Sequence, residues 1–172
     1  PDHERRARDI LRRELPGVYV SISSEVCPEF REFERTSTVA LSAYLQPIVE
    51  SYVEKLTGRL AGRYPGVDLR LIQASGGAMR APAARGRAVN LLNSGPAGGA
   101  TAAAFLARLV GENRIVAVDM GGTSFDISLI VDGMTHVATD SSFEGFPIKI
   151  AMADVSVIGA GGGSIAWVDR GG

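Results

Sequence analysis

The chain has 172 residues, a formal net charge of -1 and 21 glycines gathered in a few clusters. That length serves one ordinary domain or two small lobes, and the near-neutral charge gives no electrostatic footprint for nucleic acid. No apolar run approaches the roughly 20 residues that cross a bilayer, and residues 1–14 are charged and amphipathic rather than a leader with an apolar core. Neither a nucleic-acid nor a membrane partner is therefore expected. The single Cys27 excludes an internal disulfide and suits a reducing compartment, so a cytoplasmic address is expected. The chain opens on Pro1 inside a predicted helix and stops at Gly171-Gly172 where a hairpin would return. It is expected to be a piece of a longer protein.

Asp2 to Leu15 reads as a helix with Ala7, Ile10, Leu11 and Leu15 on one stripe, stopped by Pro16-Gly17. Val18 to Ser23 alternates as a strand. Ser24 to Arg35 reads as a solvated connector with Phe30 and Phe33 as anchoring aromatics. Thr36 to Leu60 is predicted to be the long helix. Val39, Ala43, Tyr44, Ile48, Val49, Tyr52, Leu56 and Leu60 recur at helical spacing as its core face, and Pro47 is expected to kink it. Tyr64-Pro-Gly66 turns the chain into a strand from Asp68 to Ala74. Ser75-Gly76-Gly77 then reads either as a ligand-facing loop after a parallel strand or as a bend. Residues 78–89 are small and basic and carry no clear assignment.

Asn93 to Gly99 feeds an alanine-rich helix over residues 100–110, whose small residues permit close packing and which ends at Gly111. Helices dominate before Gly111 and strands after it. Arg114 to Met120 and the run from Phe125 are two strands of β-branched residues flanking Gly121-Gly122-Thr123-Ser124. Adjacent glycines allow positive φ and let backbone N–H groups approach a ligand, as in a concave anion site. Asp119 beside such a site would repel a bare phosphate, so the stretch reads as a loop for a metal–phosphate pair carried on a β-hairpin. A tight hairpin turn with one acidic residue is the alternative. Asp132-Gly133 is a tight turn into a third strand, Met134 to Thr139. A loop from Asp140 to Pro147, strands at residues 148–152 and 155–158, the glycine loop Gly159 to Ser164 and a final strand Ile165 to Asp169 complete the chain.

In these motifs the chain resembles the hydantoinase A and 5-oxoprolinase family, which includes acetone carboxylase subunits. The carrying segments are Ser24 to Thr38 (SEVCPEFREFERTST), Ile72 to Gly77, Ser94-Gly-Pro-Ala-Gly-Gly99, Val118-Asp-Met-Gly-Gly-Thr-Ser124 and Ile158 to Ile165. They occur in family order over nearly the whole chain. The resemblance implies an α/β chain, part of the actin-like ATPase (ribonuclease H-like) fold, covering the end of one lobe and the start of the next. Residues 1–111 would be the helix-rich end of the first lobe with the connecting helix, and residues 112–172 the strand-rich start of the second with its phosphate loop.

It also implies chemistry. Family members use ATP to open hydantoins, 5-oxoproline and related lactams, or to activate ketones for carboxylation. The full-length protein would then be an ATP-dependent cyclic amidohydrolase, and this chain alone would be inactive. ATP and Mg²⁺ are the implied cofactors. Asp119 would hold the metal, and Gly121, Gly122, Thr123 and Ser124 would bind phosphate oxygens. Asp126 would orient water or metal, with a solvent-facing strand residue as the alternative. By likeness alone, Ser94, Gly95, Gly161, Gly162, Gly163 and Ser164 would face the cleft. A hydantoinase B-like subunit or fused domain is the implied partner, and a small cyclic amide or a ketone the substrate. Relatives commonly carry a histidine in an Asp-x-His-Thr run before the last glycine loop; here Ser156 stands in that place. A sugar kinase and a non-enzymatic actin-like protein remain as alternatives. A dinucleotide-binding reading of residues 157–164 lacks the helix and acid it needs.

Overall fold

The computed structural model describes residues 1–168. Its elements in chain order are helices α1 (Asp2–Glu14), α2 (Ser23–Val26) and α3 (Glu32–Arg63), strands β1 (Arg70–Ile72) and β2 (Ala78–Arg80), helix α4 (Ala81–Ala84), a 3-10 turn (Ala88–Leu91) and helix α5 (Ser94–Val110). Strands β3 (Arg114–Met120), β4 (Phe125–Val131), β5 (Met134–Thr135), β6 (Val137–Ala138), β7 (Ser141–Phe143), β8 (Phe146–Ile148), β9 (Met152–Ala153) and β10 (Val155–Ile158) follow. They form two compact units interleaved in sequence. The first takes Pro1–Ser94 and Val137–Met152, the second Gly95–His136 and the chain from Ala153. Among the described residues no helix is long and apolar enough to cross a membrane.

In the first unit α3 is the spine. Its buried positions are Thr38, Ser42 and Val53 rather than the expected aromatic stripe: Tyr44, Ile48 and Tyr52 are exposed. A buried polar side chain is tolerated when its hydrogen bonds are satisfied. The Thr38 hydroxyl donates to the Glu34 carbonyl at 2.7 Å and accepts the Lys149 N–H at 2.9 Å, which ties α3 to the segment after β8. Val49, half-buried, packs with Val53 on Met79, Ala81 and Ala84. A second cluster joins Ala74, Val89, Ile148, Ile150 and Met152. The helix runs on through Pro47.

Three further expectations for this unit are corrected. Residues 18–22 carry the alternation of a strand, with Ile22 buried, but have no strand partner among the described residues and so form no ladder there. Phe30 and Phe33 are 93% and 72% exposed rather than buried as anchors. The Asp140 to Pro147 loop is a hairpin, β7 on β8, whose turn residues Glu144 and Gly145 have φ of 50° and 81°; two consecutive positive φ values are what a two-residue hairpin turn of matching twist requires. Ser75-Gly76-Gly77 is likewise the bend of an antiparallel hairpin, β1 on β2.

Glu4 of α1 is the polar hub of the first unit. It accepts from the Ser23 hydroxyl at 2.7 Å, the Ser24 N–H at 2.8 Å and Arg35 at 3.2 Å. These donors, the Ser23 hydroxyl first, lower its pKa from 4.5 to about 2. A depressed carboxylate contributes stability above its unfolded pKa and loses it as pH falls through the folded one. Amide exchange in α1 is therefore expected to be slower in the wild type than in Glu4→Gln above pH 4.5. The difference should shrink between 4.5 and about 2. A difference that persists unchanged at the acid end would mean that the carboxylate is not what docks α1.

The second unit is a small sheet, ordered β10-β4-β3, with α5 against one face. β3 and β4 pair antiparallel over seven residues, from Arg114↔Val131 to Met120↔Phe125. The Asp132-Gly133 turn, with φ of 54° and 71°, returns the chain into β5. Side chains alternate across a sheet, so Ile115, Ala117, Asp126, Ser128 and Ile130 share the α5 face with Asp119. Ala104 and Ala107 of α5 pack there on Ile130. The opposite face leaves Val116, Val118, Met120, Leu129 and Val131 exposed. Of the expected last strand, Ile165 to Val168 are exposed and form no strand among the described residues, and Asp169 lies outside them.

Candidate active site: a carboxylate pair beside a glycine loop

The register of β3 and β4 sets the site. Because Met120 pairs with Phe125, the four residues Gly121 to Ser124 must close the hairpin. The Gly121 N–H donates to the Ser124 carbonyl at 2.9 Å. Neither Gly121 nor Gly122 has positive φ, so the turn does not draw on the conformational freedom that glycine offers. What glycine supplies here is access: a Cβ at Gly122 would meet nothing within 4 Å. Thr123 is exposed and Ser124 half-buried.

One residue pair before the loop, Asp119 and Asp126 face each other directly across the strands. Cβ atoms in such pairs lie about 4.5–5.5 Å apart, and like charges there are unfavourable. Both line a recess of about 270 Å³ between the sheet and α5, with Pro96, Gly99, Ala100, Ala103 and Ser128. Among the described residues no Lys or Arg lines it. Two carboxylates without a cation suit a divalent metal. Mg²⁺ in particular is held by one or two carboxylates while phosphate and water complete its shell. Among the described residues no group of three or more His, Cys, Asp or Glu side chains could hold a metal. Ser128, buried at 6%, was not singled out from the sequence, although its place two residues after Asp126 puts it on the same face.

The second glycine loop lies against the first. The Gly162 N–H donates to the Gly121 carbonyl at 2.9 Å, and buried Gly161 faces the Gly122–Thr123 peptide. Gly163 is exposed and open. Ser94 and Gly95 are the first two residues of α5; Gly95 is outside the lining of the recess, and Ser94 belongs to the first unit. Ser156 pairs with Ile127, so it sits on the sheet face away from the carboxylates. It shares a groove there with His136 and Asp154, whose side chains are 3.4 Å apart.

Residues 35–172 match the hydantoinase/oxoprolinase family. The chain belongs to that family. It is 41% identical to the caprolactamase subunit alpha of Pseudomonas jessenii over 98% of its own length and 24% of the relative's. It is 31% identical to the 5-oxoprolinase of Saccharomyces cerevisiae over 97% of its length and 13% of that protein's. The crystal structure of the ATP-dependent caprolactamase from P. jessenii superimposes with a TM-score of 0.83 at 41% identity, covering 99% of this chain and 25% of that one. The nucleotide-free structure of an acetone carboxylase, from a study of ATP-dependent acetone carboxylation, does so with 0.78 at 29% identity, covering 99% and 24%. The chain thus spans about a quarter of the length of the caprolactamase subunit. Its fold is α/β, a part of the actin-like ATPase (ribonuclease H-like) fold.

Proposed function

We propose that the full-length protein is an ATP-dependent hydrolase that opens a cyclic amide, and that this chain supplies its metal–phosphate site. The observation that carries the reading is the cross-strand pair Asp119 and Asp126 next to an open glycine loop, in a recess that no basic side chain lines among the described residues. Similarity to an ATP-dependent caprolactamase and to 5-oxoprolinase supports the reaction class. An amide resists attack because resonance stabilises it, as its rotation barrier of roughly 18–20 kcal/mol indicates. ATP, when bound, supplies the phosphoryl group that removes this resonance and makes the amide oxygen a leaving group. The protein's part in phosphoryl transfer is positioning and charge neutralisation.

Asp119 would hold Mg²⁺, and Asp126 would orient water or metal from across the strand. With the Gly121 N–H donated to the Ser124 carbonyl, the N–H groups of Gly122 and Thr123 and the hydroxyls of Thr123 and Ser124 would take phosphate oxygens, while Gly121 shapes the loop and Ser94, Gly95 and Gly163 face the ligand. In the complete fold residues 1–111 end one lobe and residues 112–172 begin the next. A hydantoinase B-like subunit or fused domain completes the hydrolytic step. Ketone carboxylation is the second reading, favoured by the similarity to acetone carboxylase.

The test is Mg²⁺-dependent ATP turnover by the full-length protein across a panel of lactams, hydantoins, 5-oxoproline and ketones. Stimulation by a cyclic amide is expected, stimulation by ketones alone would favour the second reading, and no stimulation by any member would sink both. Ser156→His, on the face away from the carboxylates, is expected to alter the ranking within this panel. ATP affinity should stay within about threefold. A large loss of ATP affinity would mean that this strand serves the nucleotide.

A further inference from the structure

The two glycine loops of the second unit meet in a way that site chemistry alone does not require. Gly161 is buried, and its φ is not in the left-handed region, so the backbone does not demand glycine there. Space does. A Cβ on Gly161 would overlap the Gly122 carbonyl group and lie 2.6 Å from the Thr123 nitrogen. These are backbone atoms of the first loop, which cannot swing aside as a flexible side chain would.

The amides of the second loop are also engaged. The Gly161 N–H donates to the Ser164 hydroxyl at 3.0 Å, the Ser164 N–H to the Gly161 carbonyl at 2.8 Å, and the Gly162 N–H to the Gly121 carbonyl at 2.9 Å. An anion could recruit those three donors only by breaking bonds already made within the protein. Ser164 closes the turn on itself, Gly162 stitches it to Gly121, and Gly161 lets the two backbones touch.

We propose that the Gly161 to Ser164 turn is a buttress that fixes the position of the Gly121 to Ser124 loop. Gly161, Gly162 and Ser164 are then positioning residues, and Gly163 is left to the ligand. The consequence for turnover rests on the nucleotide reading above; the mechanical role does not. A loop with one internal hydrogen bond between Gly121 and Ser124 needs an outside support if its N–H groups are to meet a phosphate at fixed spacing, because catalytic geometry must be set before the reaction rather than during it.

The experiment separates the two claims by reading the loop without nucleotide. Amide hydrogen exchange is followed at Gly121 and Gly162 in the nucleotide-free full-length protein, for wild type, Gly161→Ala, Ser164→Ala and Ser164→Thr. Loss of one supporting hydrogen bond or of the close contact is expected to speed exchange about fivefold or more. Ser164→Thr, which keeps the hydroxyl, should restore the wild-type rate. ATP turnover should fall in the two fast-exchanging variants and recover in Ser164→Thr. Ser164→Ala carries the test if Gly161→Ala does not fold. Unchanged exchange in Ser164→Ala, even with reduced turnover, would overturn the buttress, because a side chain that only touches ligand gives that pattern. Faster exchange in a protein with no ATP turnover would support the buttress and sink the nucleotide reading instead.

Discussion

Asp119→Asn in the full-length protein is expected to lower Mg²⁺-dependent ATP turnover roughly 100-fold or more, the scale seen when one preorganised electrostatic contact to a reacting group is removed. Asn keeps the size of the side chain and removes the charge that opposes the metal. The variant should at the same time be no less stable than the wild type. Asp119 and Asp126 stand directly opposite in the β3–β4 register, and two like charges in that arrangement repel. Losing activity without losing stability is the mark of a group kept for function at some expense to the fold. Asp126→Asn should show the same pairing of effects with a smaller loss in turnover. The measurement is turnover against Mg²⁺ concentration, alongside thermal unfolding of both variants. Near-wild-type turnover in Asp119→Asn would remove this residue from the site. A large drop in melting temperature would make it a structural carboxylate whose partner lies elsewhere.

That pair shows how far the sequence could be read. The two strands, their turn and Asp119 were legible because β-branched runs, a glycine pair and an acid sit at local spacings. Their register then follows from the loop length, and register alone puts Asp126 opposite Asp119. The long helix was legible as a helix but not in its orientation. Its apolar periodicity nominates Tyr44, Ile48 and Tyr52 for burial, whereas the chain buries Thr38 and Ser42 instead. Nothing local announces that choice, since it depends on Lys149, 111 residues away, donating its N–H to the Thr38 hydroxyl. The hairpin at residues 141–148 was missed for a different reason: Glu144 adopts positive φ without being one of the residues that favour it. The run at residues 18–22 alternates as a strand should, but a strand also needs a neighbour to pair with. The touching of the two glycine loops was out of reach, because each reads as a ligand loop when seen alone.

The alanine stripe of α5 yields the other large effect. Ala104 and Ala107 are 5% and 1% exposed and pack on Ile130, itself 1% exposed, so helix and sheet approach as closely as methyl groups allow. Ile130→Ala should destabilise β4 by about 2–5 kcal/mol through lost burial and the cavity left behind. Ala107→Leu, which forces three extra carbons into the same filled space, should cost about 1–3 kcal/mol or more through displaced backbone. Neither number alone establishes that the two side chains share one space. The double variant does. If the leucine occupies the volume vacated by the isoleucine, Ile130→Ala with Ala107→Leu should be less destabilised than the sum of the singles, with a coupling of roughly 1 kcal/mol or more. Global unfolding of a long multi-lobed protein need not be two-state. The quantity to measure is therefore the local opening free energy from amide exchange at β4. Strict additivity of the two substitutions would mean that α5 and the sheet are not in the contact that gives the Asp119 and Asp126 recess its wall.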